Sequence, residues 1–355
     1  MKINQKAGII IIFFCFILLF VVFCYVLFQN QTPIKTEAIS QKEPEQKKEV
    51  VQNVFDPAAL QWQKILTNAP WPKRDAQTAV VFNDKIWLLG GVGGAAPDYS
   101  QIKSDVWVSK DGKEWIQVTN DAPWGPRRAH NSLIFDNKIW VIGGVTTGER
   151  YLNDVWLSED GLSWTQVVKF APWLARKGFA TAVFDNKIWI LGGVTTNGII
   201  NDVWSSEDGI NWIRVTSKAA WSARYDLSAE VFNGKLWITG GDNPSKNSAE
   251  NDVWYSEDGK NWKKVDSTIP WAGRNGHCLM EFKNYFWILG GWNGNGKGFN
   301  DIWYSADGSA WEELKSEDRW SAREDLSCFI FNDNIMVLGG MKSNGDRTND
   351  VWLSN

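Results

Sequence analysis

NDVWLSEDGLSW, residues 153–164, sets Asn153, Asp154, Ser158, Glu159 and Asp160 between two tryptophans. Taken alone, three carboxylates so close together read as a metal or catalytic site. The stretch is not alone. It returns as SDVWVSKDGKEW (104–115), NDVWSSEDGINW (201–212), NDVWYSEDGKNW (251–262) and NDIWYSADGSAW (300–311), and as the shortened NDVWLSN at 349–355. The Gly-Gly pairs ahead of the copies begin at 90, 143, 192, 240, 290 and 339, in steps of 53, 49, 48, 50 and 49 residues. One supersecondary unit of this period is therefore repeated along the chain.

Of 24 tryptophans, 23 fall in four columns of the repeat, and Met336 fills the gap in the column of Trp87, Trp140, Trp189, Trp237 and Trp287. A tryptophan kept once per unit is expected to pack the core, because indoles dominate buried area. Only Trp292 lies outside the columns. The formal net charge of −4 and the lack of a long basic block argue against a nucleic-acid partner.

Within one unit, 129–135 and 138–142 are short β-prone runs joined by Asp136-Asn137, and Asp160-Gly161 is hairpin chemistry with φ > 0. Four antiparallel strands per unit predict one propeller blade. The last unit, 323–355, holds three strands, whereas LQWQKILTNAPW (60–71) precedes the first. Trp62 stands nine residues before Trp71, the spacing that also separates Trp115 from Trp124 and Trp311 from Trp320. The segment at Trp62 is thus predicted to be the fourth strand of the sixth blade. Such a strand closes the ring and removes open sheet edges. The expected fold is all-β, a six-bladed propeller over 59–355.

Ahead of it, residues 7–28 are 22 uncharged residues, long enough as a helix to cross a hydrocarbon core. Lys2 and Lys6 place the tail 1–6 in the cytoplasm, which predicts a signal-anchor, with a cleaved signal peptide as the competing reading, and a propeller outside the cytoplasm, in the periplasm or at the cell surface. Residues 29–58, rich in Gln, Lys, Glu and Pro, read as a disordered linker. Cys278 and Cys328 sit one position apart in register on neighbouring units, so alternation turns them to opposite strand faces. Both are expected to be buried free thiols.

Arg127-x-x-His130 leading to IWVIGG, followed by a tryptophan strand, resembles the kelch repeat of β-propellers over about residues 60–355. The SxDGxxW part also resembles the Asp-box of sialidase-type propellers. In kelch-type substrate adaptors of ubiquitin ligases, arginines at the strand 4–1 connection bind acidic peptides. The matching positions here are Arg74, Arg127, Arg176, Arg224, Arg274 and Arg323. By that resemblance the six would ring the channel mouth and grip ligand carboxylates. The competing expectation is that each arginine salt-bridges a neighbouring blade or caps backbone carbonyls.

The residues after each arginine vary, giving a basic side in blades 2 and 3 and acidic sides in blades 1, 4 and 6. Tyr225, Asp226 and the off-pattern Trp292 join the candidate ligand-binding set. His130 and His277 share one repeat position and are expected to be structural. Two histidines and no suitable Cys-Tyr pair exclude the kelch-type copper-radical oxidases. No cofactor and no metal ligand set is expected. Glu230 and Glu281 interrupt apolar columns on adjacent blades and either meet across the interface or point apart.

The expected function is a membrane-tethered binding or scaffold module for a protein loop or an acidic glycan. The alternative is a sugar-acid-modifying enzyme, sialidase-like or sialic-acid-epimerase-like, with Arg224, Tyr225, Asp226 and Glu230 at the mouth.

Overall fold

The computed structural model describes residues 55–355 apart from 97 and 247. They form six antiparallel blade sheets around an axis, five of four strands and one, blade 3, with the two-residue strand Arg176–Lys177 as a fifth, each running from an inner to an outer strand. Blade 2, for example, consists of Asn131–Phe135, Lys138–Thr146, Arg150–Ser158 and Thr165–Val168. The innermost strands of successive blades pack side by side, and the first, Thr78–Phe82, packs on the sixth, Ser327–Phe331.

Closure is as the Trp62 spacing predicts. Trp62–Leu66 pairs antiparallel with Val351–Ser354, Trp62 opposite Ser354 and Lys64 opposite Trp352. Each blade also sets its fourth-strand tryptophan edge-on against the tryptophan of the connection before it. Trp62 meets Trp320 at 4.8 Å as Trp164 meets Trp124 at 6.0 Å. The propeller's first and last strands thus complete one blade with the same contacts that blades 1–5 make internally.

The Asp-Gly hairpin has a second task besides turning the chain. Ser158 Oγ accepts from the Gly161 amide at 2.8 Å, and Asp160 Oδ1 accepts from the amides of Leu162 and Ser163. Gly161 has φ +76, and a Cβ there would stand 2.3 Å from the Trp87 ring of the preceding blade. Gly112 meets Met336 in the same way, so the one gap in the tryptophan column falls at the junction of blades 1 and 6. Glycine is required both for conformation and for blade-to-blade approach.

Two expectations are corrected. Order begins before residue 59, because Phe55 packs on Phe282, Tyr285 and Trp287, and Asp56 caps the 3-10 turn Pro57–Ala59. Cys278 and Cys328 form a disulfide between the inner strands of blades 5 and 6. Opposite strand faces on two neighbouring blades are the two faces of one interface, so the offset that argued against pairing brings the sulfurs together.

The expected membrane-crossing segment 7–28 and the linker up to residue 54 lie outside the described residues. Among the described residues no helix is long and apolar enough to cross a membrane.

Candidate functional site

The six arginines do not face a ligand. Each is buried, with at most 1% exposure, and clasps the aspartate of its own blade's DVW or DIW motif. Arg74 holds Asp105 through two bonds of 2.7 Å. Arg176 holds Asp202 at 2.7 and 3.0 Å, and Arg274 holds Asp301 at 2.8 and 2.9 Å. Arg127–Asp154, Arg224–Asp252 and Arg323–Asp350 repeat the clasp.

In every blade Nη1 also donates to the carbonyl of the first glycine of the Gly-Gly pair, as Arg224 does to Gly240. The following tryptophan donates Nε1 to the same aspartate, as Trp254 does to Asp252. Burial alone would raise the Asp252 carboxyl, but the hydrogen bonds and charge of Arg224 hold it below the usual range. The ligand-binding expectation for Arg74, Arg127, Arg176, Arg224, Arg274 and Arg323 is therefore corrected. Planar guanidinium and planar carboxylate satisfy each other inside the blade. Asp154, which first looked catalytic, is the other half of that pair.

The mouth is built by the two residues after each arginine. The second of these, Ala76, Ala129, Gly178, Asp226, Gly276 and Asp325, all have φ between 47° and 59°. Each donates its amide to the equivalent carbonyl of the blade before it. Ala129 bonds Ala76 at 3.0 Å, Asp226 bonds Gly178 at 2.6 Å, and Ala76 bonds Asp325 at 3.3 Å to complete a ring of six. This ring narrows the channel. Below it lies a cavity of about 160 Å³ whose lining includes His130, Asn131, Phe179 and His277.

The two aspartates of the ring lie over the two glycines. A Cβ on Gly178 would stand 2.3 Å from Asp226 Oδ1, and one on Gly276 would stand 2.6 Å from Asp325 Oδ1. Burial first, and then neighbouring acid charge, raises both: Asp226 to about 6 and Asp325 well above its ordinary value. Glu324 beside them is raised to about 8 by burial and by the charges of Asp226, Asp75 and Asp242. Among the described residues none of these three side chains has a hydrogen-bond or ion-pair partner.

Tyr225 donates to Asp242 at 2.5 Å, and Trp292 ends the second strand of blade 5, half-buried and bridged to Asn275. The long loop 93–103 carries Tyr99 to this region, with the Arg128 guanidinium 4.1 Å and the Arg347 guanidinium 5.6 Å from its ring. Arg347 pairs with Asp75 at 2.9 Å. Tyr99, Glu149 and Arg347 were not among the sequence candidates. Nothing in the repeat marks them, because loops of unequal length carry them.

The alternative catalytic set is split. Tyr225 and Asp226 reach the mouth, Arg224 is spent on Asp252, and Glu230 lies further along the inner strand. Glu230 accepts from the Val231 amide and Glu281 from the Asn284 amide, both at 2.8 Å. Burial and the charge of Glu281, offset in part by that amide, raise Glu230 to about 7 from an ordinary 4.5. The folded protein thus keeps a proton that the unfolded chain releases, so this group's contribution falls as pH rises from about 4.5 to about 7. Glu230→Gln is expected to exceed the wild type by roughly 2–3 kcal/mol above pH 7, with the gain fading towards pH 4.5. Urea midpoints at pH 5 and pH 8 measure it, and an equal difference at both would refute the assignment.

His130 and His277 are buried and bond Thr78 and Thr239 through Nε2. Burial, with the nearby arginine, pushes both below the ordinary histidine range, His277 to about 3.

A family model, the KLHDC2/KLHL20/DRC7 Kelch-repeats domain, matches residues 41–208 and 92–265. The chain belongs to the kelch-repeat family. A solved structure titled "Structure of YjhT" is similar to this kelch propeller at a TM-score of 0.65 and 19% identity, covering 81% of this chain and 96% of that one. At that identity the likeness speaks for the fold. No curated protein matches the sequence.

Proposed function

We propose that this kelch propeller is a binding module whose mouth face docks a loop of a partner protein. The observation that carries it is where the sixfold pattern breaks. Buried positions repeat from blade to blade, whereas the mouth gathers Asp226, Glu324 and Asp325 without partners, with Tyr99 within reach of the Asp325 charge and Trp292 bridged to Asn275 of the same connection. Unpaired acids in a half-buried cleft favour hydroxyl or cationic donors from a ligand. Aromatic side chains at the rim add contact area.

The disulfide supports a home outside the reducing cytoplasm, consistent with an anchor at 7–28. Phe55 packs at the turn between the first two strands of blade 5, on the face opposite the mouth.

Full-length protein used as bait tests the reading. Trp292→Ala combined with Asp226→Asn is expected to lower partner recovery at least tenfold. Leu162→Ser, a change in an exposed hairpin on the opposite face, is expected to leave recovery unchanged. Equal loss from both, or from neither, removes the mouth as the docking face.

The raised Asp226 and Glu324 favour a second reading, acid/base chemistry on a sugar acid. Proton NMR of a sialoside and of the free sugar acid incubated with the protein decides it. Turnover that disappears in Asp226→Asn supports catalysis, and unchanged spectra dismiss it.

A further inference from the structure

One cationic position at the mouth is already filled by the protein's own carboxylate. Arg128 and Lys177, the residues after the clasped arginines of blades 2 and 3, both bind Glu149. Arg128 Nη2 donates to Oε1 at 2.5 Å, and Lys177 Nζ donates to Oε2 at 2.9 Å. Arg128 is 8% exposed, and its Nε is buried without an acceptor. A guanidinium prepared for two parallel bonds to a planar anion is therefore only partly used.

The occupant is held loosely. The Glu149 side chain is 52% exposed, and it comes from the turn Thr147–Glu149 between the second and third strands. Its φ is +56, which L residues other than Asn and Asp seldom adopt. With the carboxylate half in solvent, the pair is screened on that side, which weakens the hold on Glu149. The cations themselves are fixed, with Arg128 stacked on Tyr99 and Lys177 5.5 Å from the Tyr151 ring. Across the mouth stand Asp226 and Asp325, whose carboxyls feel the Arg128 charge.

We propose that Arg128 and Lys177 form a carboxylate-binding position at the mouth and that Glu149 is its built-in competitor. A ligand carboxylate takes over both cations as the Glu149 side chain swings out to solvent. The ligand class that fits is a hydroxy acid, because hydroxyls next to its carboxylate can donate to Asp226 and Asp325. The inference rests on the mouth being the interaction face, and it adds both a ligand chemistry and a control element. Affinity is reduced by the fraction of time the position is filled from within. If Glu149 fills it about nine-tenths of the time, its removal tightens binding about tenfold.

Calorimetric titration of the full-length protein with D-glucuronate, with D-glucose as the neutral control, provides the test. Glu149→Gln is expected to bind glucuronate about tenfold more tightly than the wild type, and glucose is expected to give no signal. Arg128→Met in the Glu149→Gln background is expected to abolish binding while the melting temperature of that variant confirms folding. Equal or weaker binding by Glu149→Gln overturns the proposal, as does absence of binding to that variant. If capture of a protein partner still depends on Trp292 and Asp226 in that event, the docking face stands and only the displaced-carboxylate device is lost.

Discussion

Arg224→Met is expected to destabilise the protein by about 3–5 kcal/mol at neutral pH, because it strands a buried carboxylate. Asp252 has a side-chain exposure of 10% and depends on Arg224 for two hydrogen bonds and its countercharge. The methionine fills much of the space but donates nothing, and the Gly240 carbonyl and the Ser222 oxygens lose a donor as well. The double change Arg224→Met with Asp252→Leu is expected to recover most of the loss, since an apolar pair leaves fewer unmet charges. Chemical denaturation of the three proteins measures this. A single variant as stable as the wild type would show that the clasp is dispensable and return the arginine to the list of ligand-binding residues.

Reducing the Cys278–Cys328 bond, or replacing both residues by alanine, is expected to cost about 2–4 kcal/mol. The bond joins positions 50 residues apart and ties blade 5 to blade 6. Blade 6 is the one assembled from both ends of the propeller, and its outer strand, Trp62–Leu66, must find Val351–Ser354 across the whole sequence. A link that shortens that search in the unfolded chain favours closure. Denaturation with and without reductant is the measurement. Wild type is expected to weaken on reduction, and the double alanine variant to be indifferent. A wild type insensitive to reductant would mean that the thiols are not joined in solution.

The fold was legible because each physical requirement recurs in five or six of the blades. Turn glycines, packing tryptophans and alternating strand residues mark every blade, and the offset of nine residues at Trp62 locates the missing strand. The arginine clasp was also visible in principle. Six arginines are matched by six aspartates, one of each per repeat, and a constant opposite-charge partner is a sufficient reason for a buried arginine to persist. Their constancy was the warning that they serve the blade.

The candidate site was less legible, for the opposite reason. Tyr99, Glu149 and Arg347 come from loops that obey no period, and they meet Asp75, Arg128 and Lys177 only because the ring brings distant connections together. Strand alternation settles which face of a blade a side chain takes, but not which faces of two blades oppose. That gap hid the disulfide and left the relation of Glu230 to Glu281 open.

By itself, then, the sequence determined the blade, the number of blades and the strand that closes the ring, since these follow from local pattern and period. Tertiary structure alone decided which charges are spent and which remain available. Arg224 and Asp226 are two residues apart, yet one is sealed against Asp252 while the other overhangs Gly178 without a partner. Whether a charged group is satisfied depends on what lies opposite it, and in a propeller that neighbour belongs to another strand or another blade.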